Sequence, residues 1–115
     1  MNNYQENLKI KMDEYVHFIY GLTKKFPREE IYGVTSQIRR SSLSVILNYI
    51  EGFARFKKAV KRNLWETSYG SLKESKYLLH FSLIEKYINR KDYDYGNALA
   101  EEIGAMLWRA LEPLK

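Results

Sequence analysis

The chain has 115 residues, enough for one domain with a modest core, and a chain this short often gains by associating. Its hydrophobic content of 45% and its ten tyrosines exclude a disordered protein, and the absence of cysteine excludes disulfide scaffolds, thiol catalysis and thiolate metal sites. A net charge of +5, from 19 Lys and Arg against 14 Asp and Glu, permits contact with a polyanion without requiring it. The N-terminal stretch has no apolar core of the signal-peptide kind, and no segment approaches the ~20 apolar residues of a membrane span. A soluble, cytoplasmic protein is expected.

Pro27 and Pro113 are the only prolines, so the chain between them is free to be helical with short interruptions. The first helix is predicted over about 4–23, where Leu8, Met12, Tyr15, Ile19 and Leu22 recur at three- and four-residue spacing on one face. The second is predicted over 28–54: Pro27 followed by Glu29 and Glu30 suits a first turn, and Ile31, Val34 and Ile38 share a face. Beyond Ser42 its apolar pattern broadens through Leu43, Val45, Ile46, Leu47, Tyr49, Ile50 and Phe53. A helix apolar on most sides is buried on most sides, so it is either central to the bundle or covered by another subunit.

The third helix is predicted over 59–88, with Leu64, Ser68, Leu72, Ser75, Leu79 and Leu83 as its core stripe and Trp65, Tyr69, Tyr77 and Phe81 widening it. Gly70 inside it costs roughly 1 kcal/mol of propensity against Ala, which points either to close approach of a neighbouring backbone or to plain tolerance. Asp92 is the candidate N-cap of a fourth helix over 92–112, lined by Leu99, Ile103, Met106, Ala110 and Leu114 and closed by Pro113. Four helices with short links predict an all-α fold, an antiparallel up-down-up-down four-helix bundle in a single domain over 1–115.

Two stretches carry a resemblance. Residues Lys24 to Arg40 read K-K-F-P-R-E-E-I-Y-G-V-T-S-Q-I-R-R and continue to Ser44, Asn48, Glu51 and Gly52; Gly70-Ser71-Leu72-Lys73-Glu74 forms a second match on the third helix. The chain resembles, over nearly its whole length, the bacterial four-helix-bundle proteins encoded by intervening sequences within 23S ribosomal RNA genes, to which the accessory protein of diversity-generating retroelements is related. The resemblance implies a ring-like homopentamer and no enzymatic activity. In the retroelement branch it implies association with nucleic acid and with a reverse transcriptase. The chain departs from the family pattern where Ile46 and Leu47 stand in place of Pro and a small residue, and where Ile50 stands in place of Ala. Without that proline the helix is straighter, and the bulkier side chains require a wider gap between helices or a changed subunit contact.

Two basic groups are the candidate nucleic-acid contacts. Arg39 and Arg40 offer fork-like donors to phosphate, or else pair with Glu29, Glu30 or Glu51. Arg55, Lys57, Lys58, Lys61 and Arg62 have no acidic residue between Glu51 and Glu66, and cations are mildly unfavourable at a helix start. Symmetric copies in a ring would multiply this patch, and such binding would be insensitive to sequence. Its bland alternative is a solvated loop. Leu43, Leu47, Ile50, Phe53, Trp65 and Tyr69 are the expected subunit interface, and Trp65, Tyr69, Tyr93 and Tyr95 are more simply packing residues than base-stacking ones.

No catalytic residue, metal site or cofactor is expected. His17 and His80 lack neighbouring ligands; Glu14 and His17 match a Glu-x-x-His pair only once, where a di-iron bundle needs it repeated. Asp13, Glu14, Glu101 and Glu102 look like solvated faces, and no glycine-rich phosphate loop occurs, Gly33 and Gly52 standing alone. The sequence points to a non-enzymatic oligomeric protein that binds RNA or DNA through its basic surface and serves as adaptor to a nucleic-acid enzyme such as a reverse transcriptase. The alternative is a protein–protein scaffold of the intervening-sequence type that binds no nucleic acid.

Overall fold

A computed structural model describes residues 1–115 as four α-helices with no strand: α1 (Asn3–Thr23), α2 (Val34–Phe53), α3 (Lys58–Ile84) and α4 (Arg90–Leu111). Single 3-10 turns occupy Arg28–Glu30 and Glu112–Leu114. The molecule is 43 Å long, close to the ~40 Å that the 27 residues of α3 span at 1.5 Å per residue.

A capping box starts α1: Asn2 Oδ1 accepts from the Gln5 amide at 2.8 Å, and Gln5 Oε1 accepts from the Asn2 amide at 2.9 Å. The expected stripe of Leu8, Met12, Tyr15, Ile19 and Leu22 is buried, with Val16 added. The second helix departs from expectation. Instead of running from 28, the chain makes one 3-10 turn and a loop, and α2 starts at Val34. The reason lies in Glu30. Its Oε1 stands 3.3 Å from the Val34 amide and caps α2, while its Oε2 accepts from the Tyr87 hydroxyl at 2.6 Å. The turn is thereby tied to the end of α3. Ile31, expected on the buried face, is exposed, and Tyr32 is almost fully so.

The third helix also ends earlier than 88. Lys86 takes a left-handed φ of 65°, the Tyr87 amide donates back to the Ser82 carbonyl at 2.8 Å, and the Lys86 amide donates to the Leu83 carbonyl at 3.0 Å. This is a Schellman closure with Lys where Gly is usual. Asn89, not Asp92, caps α4, its Oδ1 accepting from the Asp92 amide at 2.8 Å.

One hydrophobic cluster draws residues from all four helices. The tightest junction is α2 with α3, where serines replace bulk. Ser44 and Ser71 hydroxyls meet at 2.9 Å, and Ser68 donates to the Val45 carbonyl at 2.6 Å. Ser42, Ser75 and Ser82 are fully buried and bond to carbonyls of their own helices, which offsets the desolvation of their hydroxyls. At the end of α2, Gly52 gives way to Trp65, whose indole N–H donates to the Tyr49 carbonyl at 3.0 Å. The start of α1 meets the end of α2 through Tyr49, whose hydroxyl donates to the Gln5 carbonyl at 3.1 Å. The end of α1 meets the start of α2 through Arg39 and Thr23. Gly70 is exposed with nothing near the position of a Cβ, so no backbone of the same protomer approaches it.

Candidate nucleic-acid interface

The α2–α3 link, residues 54–57, and the first turn of α3 carry one basic group. Once local pairing is taken into account, the group is smaller than it looks in sequence. Arg55 binds Glu51 at 2.6 Å, the i,i+4 pair that the spacing allows, and Arg62 Nε lies 3.7 Å from Glu66. Lys61 sits over the rings of Phe53 and Trp65, 5.4 and 5.6 Å from their centroids. Lys57 and Lys58 are exposed and have no carboxylate within ion-pair distance. The N-terminus of α3 has no side-chain cap and no acidic residue in its first turn. Its free amides therefore add to the positive potential of the two lysines. Phe56, between Arg55 and Lys57, is fully exposed. The helical periodicity hid this residue; an aromatic flanked by cations in a link was the only available signal.

Arg39 and Arg40 lie in a different place. Sixteen residues of chain, almost all of it helix, separate Arg39 from Arg55, about 24 Å along the α2 axis. Arg39 Nε donates to Thr23 Oγ1 at 2.7 Å, and its guanidinium lies 4.9 Å from the Tyr20 ring centroid. Arg40 points to solvent. Neither pairs with Glu29, Glu30 or Glu51, because Glu30 holds Val34 and Tyr87 and Glu51 holds Arg55. The seven candidate cations thus form two separate groups rather than one patch.

The expected subunit interface divides in two. Leu43, Leu47 and Ile50 form an uncovered stripe along α2, 37%, 54% and 42% exposed. The second face of this helix is open within the protomer, so the broad apolar pattern does not reflect a central helix. Trp65, expected at the interface, is instead buried in the protomer's own core at 3% exposure, because Gly52 leaves room for its indole. Phe53 packs edge-on against Tyr49, and Tyr69 lies 5.6 Å from Trp108. Both are half-buried within the chain.

The remaining polar groups join helices. Lys11 meets Glu102 and Lys76 meets Glu101, contacts that raise the Lys11 pKa and lower that of Glu101. Tyr95 donates to Glu14 at 2.7 Å and packs on Phe18, while Tyr93 sits beside His80 and under Arg90. His17 lies 3.3 Å from Asp13, and no group of three or more His, Asp or Glu converges as a metal site would require. No helix is long and apolar enough to cross a membrane.

Four helices around one core, an uncovered apolar stripe and two basic groups at the two ends of α2 define an all-helical, bundle-type protein with open surfaces. The family model for the 23S rRNA-intervening sequence protein matches residues 6–109, and the chain belongs to that family. A crystal structure of a protein of unknown function from the S23 ribosomal protein family of Bacteroides thetaiotaomicron VPI-5482 superimposes with a TM-score of 0.82. The two are 23% identical over 91% of this chain and 98% of that one, a likeness of fold. No curated protein matches the chain.

Proposed function

We propose that the protein is a non-enzymatic, ring-like homo-oligomer of up-down-up-down bundles that binds RNA or DNA without sequence preference and acts as adaptor to a nucleic-acid enzyme, a reverse transcriptase being one such partner. The observation that carries this reading is the clustering of unpaired cations in two places. Lys57 and Lys58 at one end of α2, and Arg39 and Arg40 at the other, have no carboxylate partner, although 14 acidic residues are available. Phosphates are the common polyanionic partner of such groups and would be bound through charge rather than base contacts. The Leu43–Leu47–Ile50 stripe supports self-association, since an uncovered apolar row on a helix marks a contact surface. The family resemblance supports a pentamer.

A second reading rests on the same stripe: a protein scaffold whose lysines are only solvated. Light scattering of the protein with and without a short mixed-sequence duplex, at low and moderate salt, separates the two. An assembly that gains mass with duplex and loses it as salt rises supports nucleic-acid binding. An assembly indifferent to duplex at low salt supports the scaffold.

A further inference from the structure

We infer that the cleft between the end of α1, the 3-10 turn and the start of α2 is a binding site for a single phosphate group, held by Thr35, Arg39, Lys24 and Arg28. The cleft has a volume of about 270 Å³ and is lined by these four residues, together with the apolar wall of Pro27 and Ile31. Three of the four are cations, and no acidic residue lines it. None of the three is in an ion pair.

The observation that points to a ligand is the Thr35 hydroxyl. Thr35 is 5% exposed, its Oγ1 has no hydrogen-bond partner in the protein, and it lines both this cleft and the adjoining one that reaches Tyr20, Ser36 and Arg40. A helical threonine ordinarily bonds a carbonyl one turn back, as Thr23 bonds the Ile19 carbonyl at 2.8 Å. Buried hydroxyls are rarely left without a partner, and one left so beside cations calls for an acceptor. The helix end agrees with it. Glu30 takes the Val34 amide, but the Thr35 and Ser36 amides donate to no protein acceptor. Arg39 is held in place by Thr23 Oγ1 on its Nε edge and by the Tyr20 carbonyl, 3.5 Å from Nη2, which leaves three of its five guanidinium N–H groups free. One hydroxyl, the Thr35 amide, a fixed guanidinium and two further cations exceed what the two oxygens of a carboxylate accept, and they suit the several oxygens and the double charge of a phosphate.

The ligand choice extends the nucleic-acid reading, yet the cleft stands without it. Its test is therefore a small anion. Isotope-labelled protein is titrated with orthophosphate at constant ionic strength while amide shifts are followed. Saturating shifts at Thr35 and Ser36 are expected, weakened about tenfold by Thr35→Val, which removes one hydrogen bond to a charged group, and unaffected by Lys57→Glu with Lys58→Glu at the far end of α2. No saturable shift at these amides in the folded protein, or an unchanged affinity in Thr35→Val, overturns the site. Should Thr35→Val not fold, exposed Lys24→Ala with Arg28→Ala serves in its place, and unchanged affinity there also overturns it. Comparing a trinucleotide with and without a 5′-phosphate then decides the source: preference for the phosphorylated form assigns the site to nucleic-acid ends, and equality with orthophosphate assigns it to the free anion. Failure here with duplex binding intact removes the cleft alone.

Discussion

Gly52 and Lys86 each follow from a local requirement of the backbone. A Cβ at Gly52 would collide with the indole of Trp65. Gly52→Ala is therefore expected to displace the ring from the Tyr49 carbonyl and destabilise by about 2–3 kcal/mol, read from urea denaturation. An unchanged midpoint would mean the indole has room to move. Lys86 is the opposite case: it occupies a left-handed position that costs a side-chain-bearing residue about 1 kcal/mol, so Lys86→Gly is expected to raise stability by roughly that amount. The tyrosines set an alkaline limit. Burial pushes the Tyr15 phenol up to about 12, the hydrogen bond to Glu30 does the same to Tyr87, and burial raises Tyr49 further. Each keeps its proton in the folded chain when the unfolded chain, titrating near 10, has lost it. Their contribution is full below pH 10 and is lost as pH rises through about 12. Denaturation midpoints measured across that range should fall, and a flat profile would show that these phenols are accessible.

At the scale of the element, α2 has two faces with different duties. Ile38, Val45, Ile46 and Tyr49 enter the core, while Leu43, Leu47 and Ile50 stay uncovered. Leu47→Asp or Ile50→Asp is accordingly expected to leave the protomer folded, with unchanged helical circular dichroism, and to reduce the mass in solution to that of the 13.7 kDa chain. A variant of unchanged mass would place the subunit contact elsewhere. The residues that carry the family resemblance are largely explained by this helix and its neighbours. Ser44 meets Ser71 of the second motif, Asn48 donates to Ser44, Gly52 admits Trp65, and Glu30 caps α2 while binding Tyr87. Tyr32 and Arg40 of the first motif face solvent, so packing within one chain does not account for them. Spacing made the buried stripes legible because it follows directly from 3.6 residues per turn. It did not make the helix ends legible: the early end of α3 depends on a lysine adopting a glycine-like conformation, and the late start of α2 on a carboxylate tied to Tyr87, fifty-seven residues away.

Across the whole molecule, charge is organised by what remains after pairing. Lys57→Glu with Lys58→Glu is expected to abolish duplex binding at moderate salt and to lower the salt dependence by about one for each lysine engaged, with the assembly intact by scattering. Full binding by this variant would remove the α2–α3 link from the interface. Arg55→Gln is the informative contrast: its partner Glu51 already offsets its charge, so the effect should be smaller. Composition, periodicity and motif by themselves determined the all-helical class, the four helices, most of the core stripes and the family, because these depend on local spacing and residue type. Only the tertiary structure decided which side chains remain available. It took Trp65 into the core, divided the cations between the two ends of α2, left Leu43, Leu47 and Ile50 open, and left Thr35 without a partner beside Arg39. Those outcomes depend on which residues from distant parts of the chain meet, and neither spacing nor composition records that.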